Sequence, residues 1–379
     1  MVTGDATYLK KVNRDRILHT ILTNEKISRA EISKLTKLNK ATVSSQVAEL
    51  LEKKLVVESS QDHFKVGRKP IMVSINRKAG YVLGIDVDQD SMITTLADAL
   101  GEPLETSIKP LSTTNYVDVV KELATLINAY DLKCTDQPYG LTSVVIAIHG
   151  SVRTDEVVTF VPQFEWSHKP LKQDLTQLVA VDITIENNAN LCAIAEHLHS
   201  HPYTNHLLTI TMQSGIGLGM MMEGNLIKGH HGYAGEIGHM ILYPNGEPCK
   251  CGNKGCFELY ASERHFLEKL GNGQKMPIET FVQRLHSSGI SQEVEDFLTD
   301  IAAGLNNVIN FYNPEIVVIN SDLLSNIPDA VDRISDKLTS TMIDYKSLVI
   351  SSLGIKASVY GACALASRRF LGLSFHQDA

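Results

Sequence analysis

Between Gly232 and Glu258 the chain reads GYAGEIGHMILYPNGEPCKCGNKGCFE, and these 27 residues limit what it can fold into more than any other stretch. Three thiols, Cys249, Cys251 and Cys256, stand in a C-x-C-x4-C cluster with Gly246, Gly252 and Gly255 around them, and nine residues separate Cys249 from His239 upstream. Half of the six cysteines thus fall within eight residues, a density that idle core thiols explain poorly. Three sulfurs and one imidazole nitrogen make a closed tetrahedral set for zinc. Such a set leaves no position open for water or substrate, so the ion would hold a loop in shape rather than hydrolyse anything. What it would hold are Glu236 and Glu258, which flank the cluster on either side.

The pattern G-x-x-G-x-A-G-E-I-G-H, here Gly229 to His239, followed by C-x-C-G-x-x-G-C-x-E, here Cys249 to Glu258, resembles the signature of the ROK family of sugar kinases and sugar-responsive repressors. The resemblance implies that Glu236, His239 and Glu258 bind sugar hydroxyls, while the same histidine turns its other nitrogen to the metal. The chemistry is coherent. Carboxylates accept hydroxyl protons, and a metal-held imidazole keeps its free N–H aimed outward.

At 379 residues and 43% apolar content the chain can build two or three cores. It contains no run of eighteen apolar residues, and Met1 to Lys11 is polar rather than signal-like, so a cytoplasmic protein without a membrane partner is expected. The net charge of −8 hides an asymmetry: residues 1–80 carry 16 Lys and Arg against 8 Asp and Glu, leaving 19 against 35 for the remainder. A basic head on an acidic body suits a DNA reader with a separate regulatory part.

In the head, Asn13 to Thr23 has helical spacing with Asn13 placed to cap. Ser28 and Glu31 have capping-box spacing before a second helix, and after the turn Thr36 to Asn39 a third helix, Lys40 to Lys53, would bury Val43, Val47, Leu50 and Leu51. Leu55 to Ser59 and Ile71 to Ile75 read as strands joined by a basic hairpin. The order predicts a winged helix-turn-helix in which Lys40, Thr42 and Ser45 face bases and Arg68 and Lys69 of the wing clamp phosphates or enter a minor groove. A small helical packing or dimerisation module is the alternative. The ROK resemblance extends here too, over residues 10–78, and such a module is what separates the family's repressors from its kinases.

From Gly80 the pattern becomes α/β. Strands are expected at Tyr81 to Val87, Ser91 to Ala97, Ser143 to His149, Val181 to Glu186, Leu207 to Met212, Leu218 to Met222 and Glu315 to Ile319. Helices are expected around Tyr116 to Ala129, Asp300 to Phe311 and Ile355 to Phe370. The domains expected are therefore 1–78 for DNA and 79–379 for the body, itself two lobes, 79–190 with the closing helix 355–370, and 191–354. The resemblance implies the actin-like, ribonuclease-H-like sugar-kinase fold for this body.

Fold alone does not choose between kinase and receptor. Family kinases carry D-x-G-G-T on their first strand pair, where this chain has Asp86, Val87, Asp88, Gln89 and Asp90; carboxylates would repel a nucleotide's phosphates there. They carry E-N-D-A-N, where this chain reads Glu186, Asn187, Asn188, Ala189 and Asn190, and an amide is no general base. The glycine pair that the family's kinases place after the corresponding P-E strand to admit adenosine is replaced here by Asn320 and Ser321. The glycine-rich Ser214 to Gly219 reads more readily as a tight strand turn than as a phosphate loop.

The reading is a non-enzymatic repressor with a structural zinc ion and a monosaccharide effector held by Asn187, Asn188, Glu236, His239 and Glu258. It would bind palindromic operator DNA as a homodimer or tetramer, with a xylose-type sugar as first guess. An active ATP-dependent sugar kinase and a repressor governed by a protein partner are the alternatives. Two residues stay open: His149, in place of a family proline, and Trp166, a sugar-stacking ring or a core plug.

Overall fold

The computed structural model describes residues 6–60 and 71–373. Its head consists of α1 (Ala6–Asn24), α2 (Arg29–Thr36), α3 (Lys40–Glu52) and the antiparallel strands β1 (Val56–Ser60) and β2 (Ile71–Ile75), with Ile27–Ser28 pairing on the other edge of β2. Ser28 and Glu31 form the reciprocal capping box, and Asn39 caps α3 by accepting from the Thr42 N–H at 2.7 Å. Asn13 does not cap anything. Helix α1 begins seven residues earlier, and Lys10, in the added turn, pairs with Glu49 of α3 at 2.8 Å. Val43, Val47 and Leu50 are buried as their spacing requires, while Leu51 is only half-buried at the edge of that core. Arg68 and Lys69 lie outside the described residues.

The body holds two five-stranded sheets built on one plan. The first has the order β7-β6-β3-β4-β5, from β3 (Tyr81–Val87), β4 (Ser91–Asp98), β5 (Pro103–Pro110), β6 (Leu141–Ile148) and β7 (Asp182–Asn187). Strands β3, β4 and β5 form an antiparallel meander, and β6 and β7 add in parallel. In the second sheet β8 (His206–Thr211) and β9 (Gly217–Met222) form the hairpin, Asn225–Leu226 extends it, and β10 (Ile316–Asn320) and β11 (Ser347–Ile350) add in parallel. The edge strand β5 and strand β11 escape a hydropathy reading because they are short or largely exposed.

Helices supply the crossovers and the outer layers. They include α4 (Tyr116–Lys133), α5 (Asn188–Ala195), α6 (Glu263–Leu270), α7 (Gln292–Tyr312) and α8 (Ala357–Leu371). Burial of Val119, Leu123 and Ile127 at helical spacing seats α4 under the first sheet, and Phe297, Ile301, Leu305 and Val308 seat α7 under the second. A small third sheet, Ser151–Val152, Val158–Val161 and Trp166–Lys169, projects from the end of β6. Trp166 is a core plug: its ring packs edge-on against Tyr116 and Phe164, and its N–H donates to the Thr114 carbonyl at 2.9 Å. No described helix is long and apolar enough to cross a membrane.

Head and body share apolar packing. Ile17, Leu18 and Ile21 of α1 join Ala79, Ala99, Leu371 and Leu373 in one buried cluster.

Candidate functional site

Parallel register decides what meets in the cleft. Strands β3, β6 and β7 pair so that Val87 lies beside Ile148 and Ile148 beside Asn187, which brings the residues after all three strands to one rim. Ligands in open α/β sheets bind outside such carboxyl ends. His149 and Gly150 follow β6 directly, and the hairpin after β8 brings Gln213 and Ser214 to face them from the second sheet.

The cleft so formed includes Asn187, Asn188, Glu236, His239 and Glu258 in its lining. All five expected sugar-binding residues are therefore brought together, although not with equal freedom. Asn187 is largely committed to the fold: its Oδ1 caps α5 by accepting from the N–H groups of Ala189 at 2.8 Å and Asn190 at 3.2 Å, and its Nδ2 donates to the Gly150 carbonyl at 2.9 Å. It shapes the wall and keeps one amide N–H for a ligand. Glu236 accepts from the Ser151 hydroxyl at 2.9 Å, and burial raises its pKa above the usual carboxylate range. Ser151, Gln163, Thr211 and Gln213 also line the cleft and were not singled out in the sequence; their place at strand ends was the available signal.

The metal cluster forms one wall. The ligand atoms of His239, Cys249, Cys251 and Cys256 all lie within 4.8 Å of one another. Cys251 and Cys256 sulfurs are 3.6 Å apart, and Cys249 Sγ is 3.7 Å from His239 Nδ1. A tetrahedral ion with bonds of ~2.3 Å spaces its donors about 3.8 Å apart, so the four fit a metal. Gly255 permits the loop's closure: its φ is +75°, and a Cβ there would stand 1.7 Å from the Tyr243 carbonyl oxygen. Glu258 Oε1 rests 3.3 Å from Cys249 Sγ and 3.4 Å from His239 Nδ1, so the cleft carboxylate leans directly on the metal donors.

A second cavity lies behind the first, and His149, Asn188 and Gln213 line both, which makes them the partition. His149 Nε2 sits 2.7 Å from Asp86 Oδ1, with Asp88 Oδ1 3.7 Å from Nδ1. Burial pushes the imidazole's pKa down, but the two carboxylates outweigh it and lift the value to about 9. The residue left open by the sequence is thus a charged clasp on the strand turn that carries Asp88. The same turn reaches the second lobe, where Gln89 accepts from Arg264 and Asp90 pairs with Lys275 at 2.9 Å.

Asn320 lines that second cavity, and both it and the neighbouring Ser321 are held by hydrogen bonds. Asn320 Oδ1 accepts from Gln213 at 3.1 Å and its Nδ2 donates to the Gly354 carbonyl at 3.0 Å. The Ser321 hydroxyl and the Leu323 N–H donate to Glu263 at 2.6 and 3.0 Å. Burial pushes Glu263 up to about 7. A carboxyl raised in the folded state costs nothing below its unfolded pKa of about 4.3, and stability is lost as pH rises through 7. From pH 4 to pH 8 the loss is about 3 kcal/mol, and Glu263→Gln, which can accept the same two bonds, should abolish that slope in urea unfolding.

On the head, Lys40 and Ser45 are exposed on the outer face of α3, together with Ala41, Ser44 and Ala48, while Thr42 is half-buried at its margin. Ser44 shares the exposed face with Lys40 and Ser45.

Comparisons with known proteins agree with this architecture. Residues 82–369 match the ROK family model, and residues 16–63 match the MarR family model. The chain is 33% identical to the "Xylose repressor" of Bacillus subtilis (strain 168), over 98% of this chain and 99% of that protein. A solved ROK family transcriptional regulator, described as a homologue of the E. coli Mlc protein, superposes with a TM-score of 0.78 at 22% identity, covering 96% of this chain and 97% of that one. A ROK family glucokinase from Streptomyces griseus, solved with glucose and AMPPNP, superposes with a TM-score of 0.66 at 23% identity, covering 76% of this chain and 100% of that one. The chain belongs to the ROK family, with a MarR-type head preceding its sugar-kinase-like body.

Proposed function

We propose that this protein is a transcriptional repressor whose grip on operator DNA is released by a neutral monosaccharide, D-xylose in the first instance. The observation that carries the reading is a hydroxyl-binding cleft, with Glu236, His239 and Glu258 on one wall, in the same chain as a helix-turn-helix head. The relatives named xylose repressor support the choice of sugar. Among the described residues lining the cleft there is no lysine or arginine, and the charged imidazole of His149 is already paired with Asp86 and Asp88, which disfavours a sugar phosphate. The head would use Lys40, Thr42, Ser45, Arg68 and Lys69 on a palindromic site, as a homodimer in the cytoplasm. Zinc suits the three thiolates and one imidazole better than the harder divalent cations do.

Against phosphoryl transfer stand Asn188, which cannot accept the hydroxyl proton, and Asp88 and Asp90, which put carboxylates where a nucleotide's phosphates would need donors. The test is a thermal-shift panel of D-xylose, D-glucose, N-acetylglucosamine and D-xylose 5-phosphate, followed by release from a duplex selected by the protein from a random pool. D-xylose is expected to raise the melting temperature and to release the duplex, and the phosphate to do neither. No shift with any sugar would point to a protein partner instead, and turnover of ATP with any of them would overturn the receptor reading.

A further inference from the structure

We infer that occupancy of the cleft reaches the DNA-reading head through two helices, α5 and α8, which cross with almost no side chain between them at Gly361. The inference rests on the repressor reading above and adds the route by which it works. Helix α5 starts inside the cleft, with Asn187 as its cap and Asn188 as its first residue, and all eight of its residues are buried. It packs on β8 and β9 of the second sheet and on α8. Helix α8 packs in turn on β3, β4 and β6 of the first sheet. The α5–α8 contact is therefore the seam between the two lobes.

At that seam there is no slack. A Cβ on Gly361 would lie 1.9 Å from the Leu191 carbonyl oxygen and 2.6 Å from its carbon. Where side chains meet, a small shift is absorbed by rotamer changes, but backbone against backbone passes it on. The far end of α8 lies in the head's core. Leu371 and Leu373 are buried with Ile17, Leu18 and Ile21 of α1, and Arg14 donates to the Leu371 carbonyl at 3.4 Å. Tyr139 packs edge-on against Phe370, and its hydroxyl donates to the Lys53 carbonyl at 2.8 Å, just past the end of α3.

Leu371 lies ten residues beyond Gly361, about 15 Å along the helix axis. A tilt on the order of 10° at the seam would move it by about 2.5 Å, enough to reset how a dimer's two heads span their half-sites.

The test uses the full-length protein, D-xylose and the selected duplex. Gly361→Ala inserts a methyl group against Leu191, which belongs neither to the cleft lining nor to the head's core. Its D-xylose and duplex affinities should stay within about 3-fold of wild type, while the D-xylose concentration needed for release should rise by about 10-fold or more. Because this variant can fail to fold, hydrogen exchange on the wild type gives a second readout. Saturating D-xylose should alter exchange in residues 362–373 and 14–22 and leave β11 unchanged. A folded Gly361→Ala protein that releases DNA normally, or flat exchange in those two segments under D-xylose that does release DNA, would overturn the route while sparing the repressor reading. If D-xylose neither binds nor releases DNA from the wild type, both fall together.

Discussion

Serine in place of Cys251 is expected to cut the metal content from one equivalent to a small fraction and to weaken D-xylose binding by about 10- to 100-fold. Cys251 is the exposed member of the cluster, so its replacement removes a metal donor without opening a hole in the core. Without the ion, three buried or half-buried donors face one another with nothing between them, and burial raises the pKa of the Cys249 and Cys256 thiols. The loop would then relax, and Glu258, which lies within 3.4 Å of two of the donors, would move with it. Metal analysis by atomic emission and titration calorimetry with D-xylose read the two effects separately. DNA affinity without sugar should change little, because the cluster lies in the body, away from α3. Undiminished sugar affinity in a metal-free variant would contradict the role given to the metal.

The second large effect is expected from His149→Ala. The variant leaves Asp86, 4% exposed, facing Asp88 with no cation between them. Breaking a buried pair by removing one partner costs about 3–5 kcal/mol, because a desolvated charge is left uncompensated. The urea midpoint at pH 7 should fall accordingly, and His149→Ala combined with Asp86→Asn should recover much of the loss. The pH dependence supplies a signature. An imidazole raised to about 9 in the folded protein contributes stability that is full below its unfolded pKa of about 6.5 and is lost as pH rises through 9. The single variant should lack that alkaline decline. A midpoint unchanged by the substitution would mean that the clasp contributes nothing.

Much of this could be read from residues because the signals were local. The capping box at Ser28 and Glu31, the burial stripe of α3 and the spacing of His239 with the three cysteines are each decided within a few residues. What could not be read was set by pairing register, which no local pattern encodes. That Asp86 meets His149 across 63 positions follows from β3 lying parallel to β6 with Val87 opposite Ile148. Asn187 illustrates the same limit: its side chain suits a sugar hydroxyl as well as a helix cap, and only the start of α5 directly after β7 shows that the cap claims it. Helix α1 starts earlier than its local pattern indicates, because the tie from Lys10 to Glu49 is tertiary.

The apolar cluster that joins α1 to Leu371 and Leu373 carries a lesson for anyone hoping to transplant promoter recognition between relatives. Cutting near residue 78 would strip Ile17, Leu18 and Ile21 of a cover supplied from the opposite terminus, so a truncated reader should precipitate or melt early. Chimeras ought to exchange both ends of the polypeptide at once, because each terminus was shaped to fit the other.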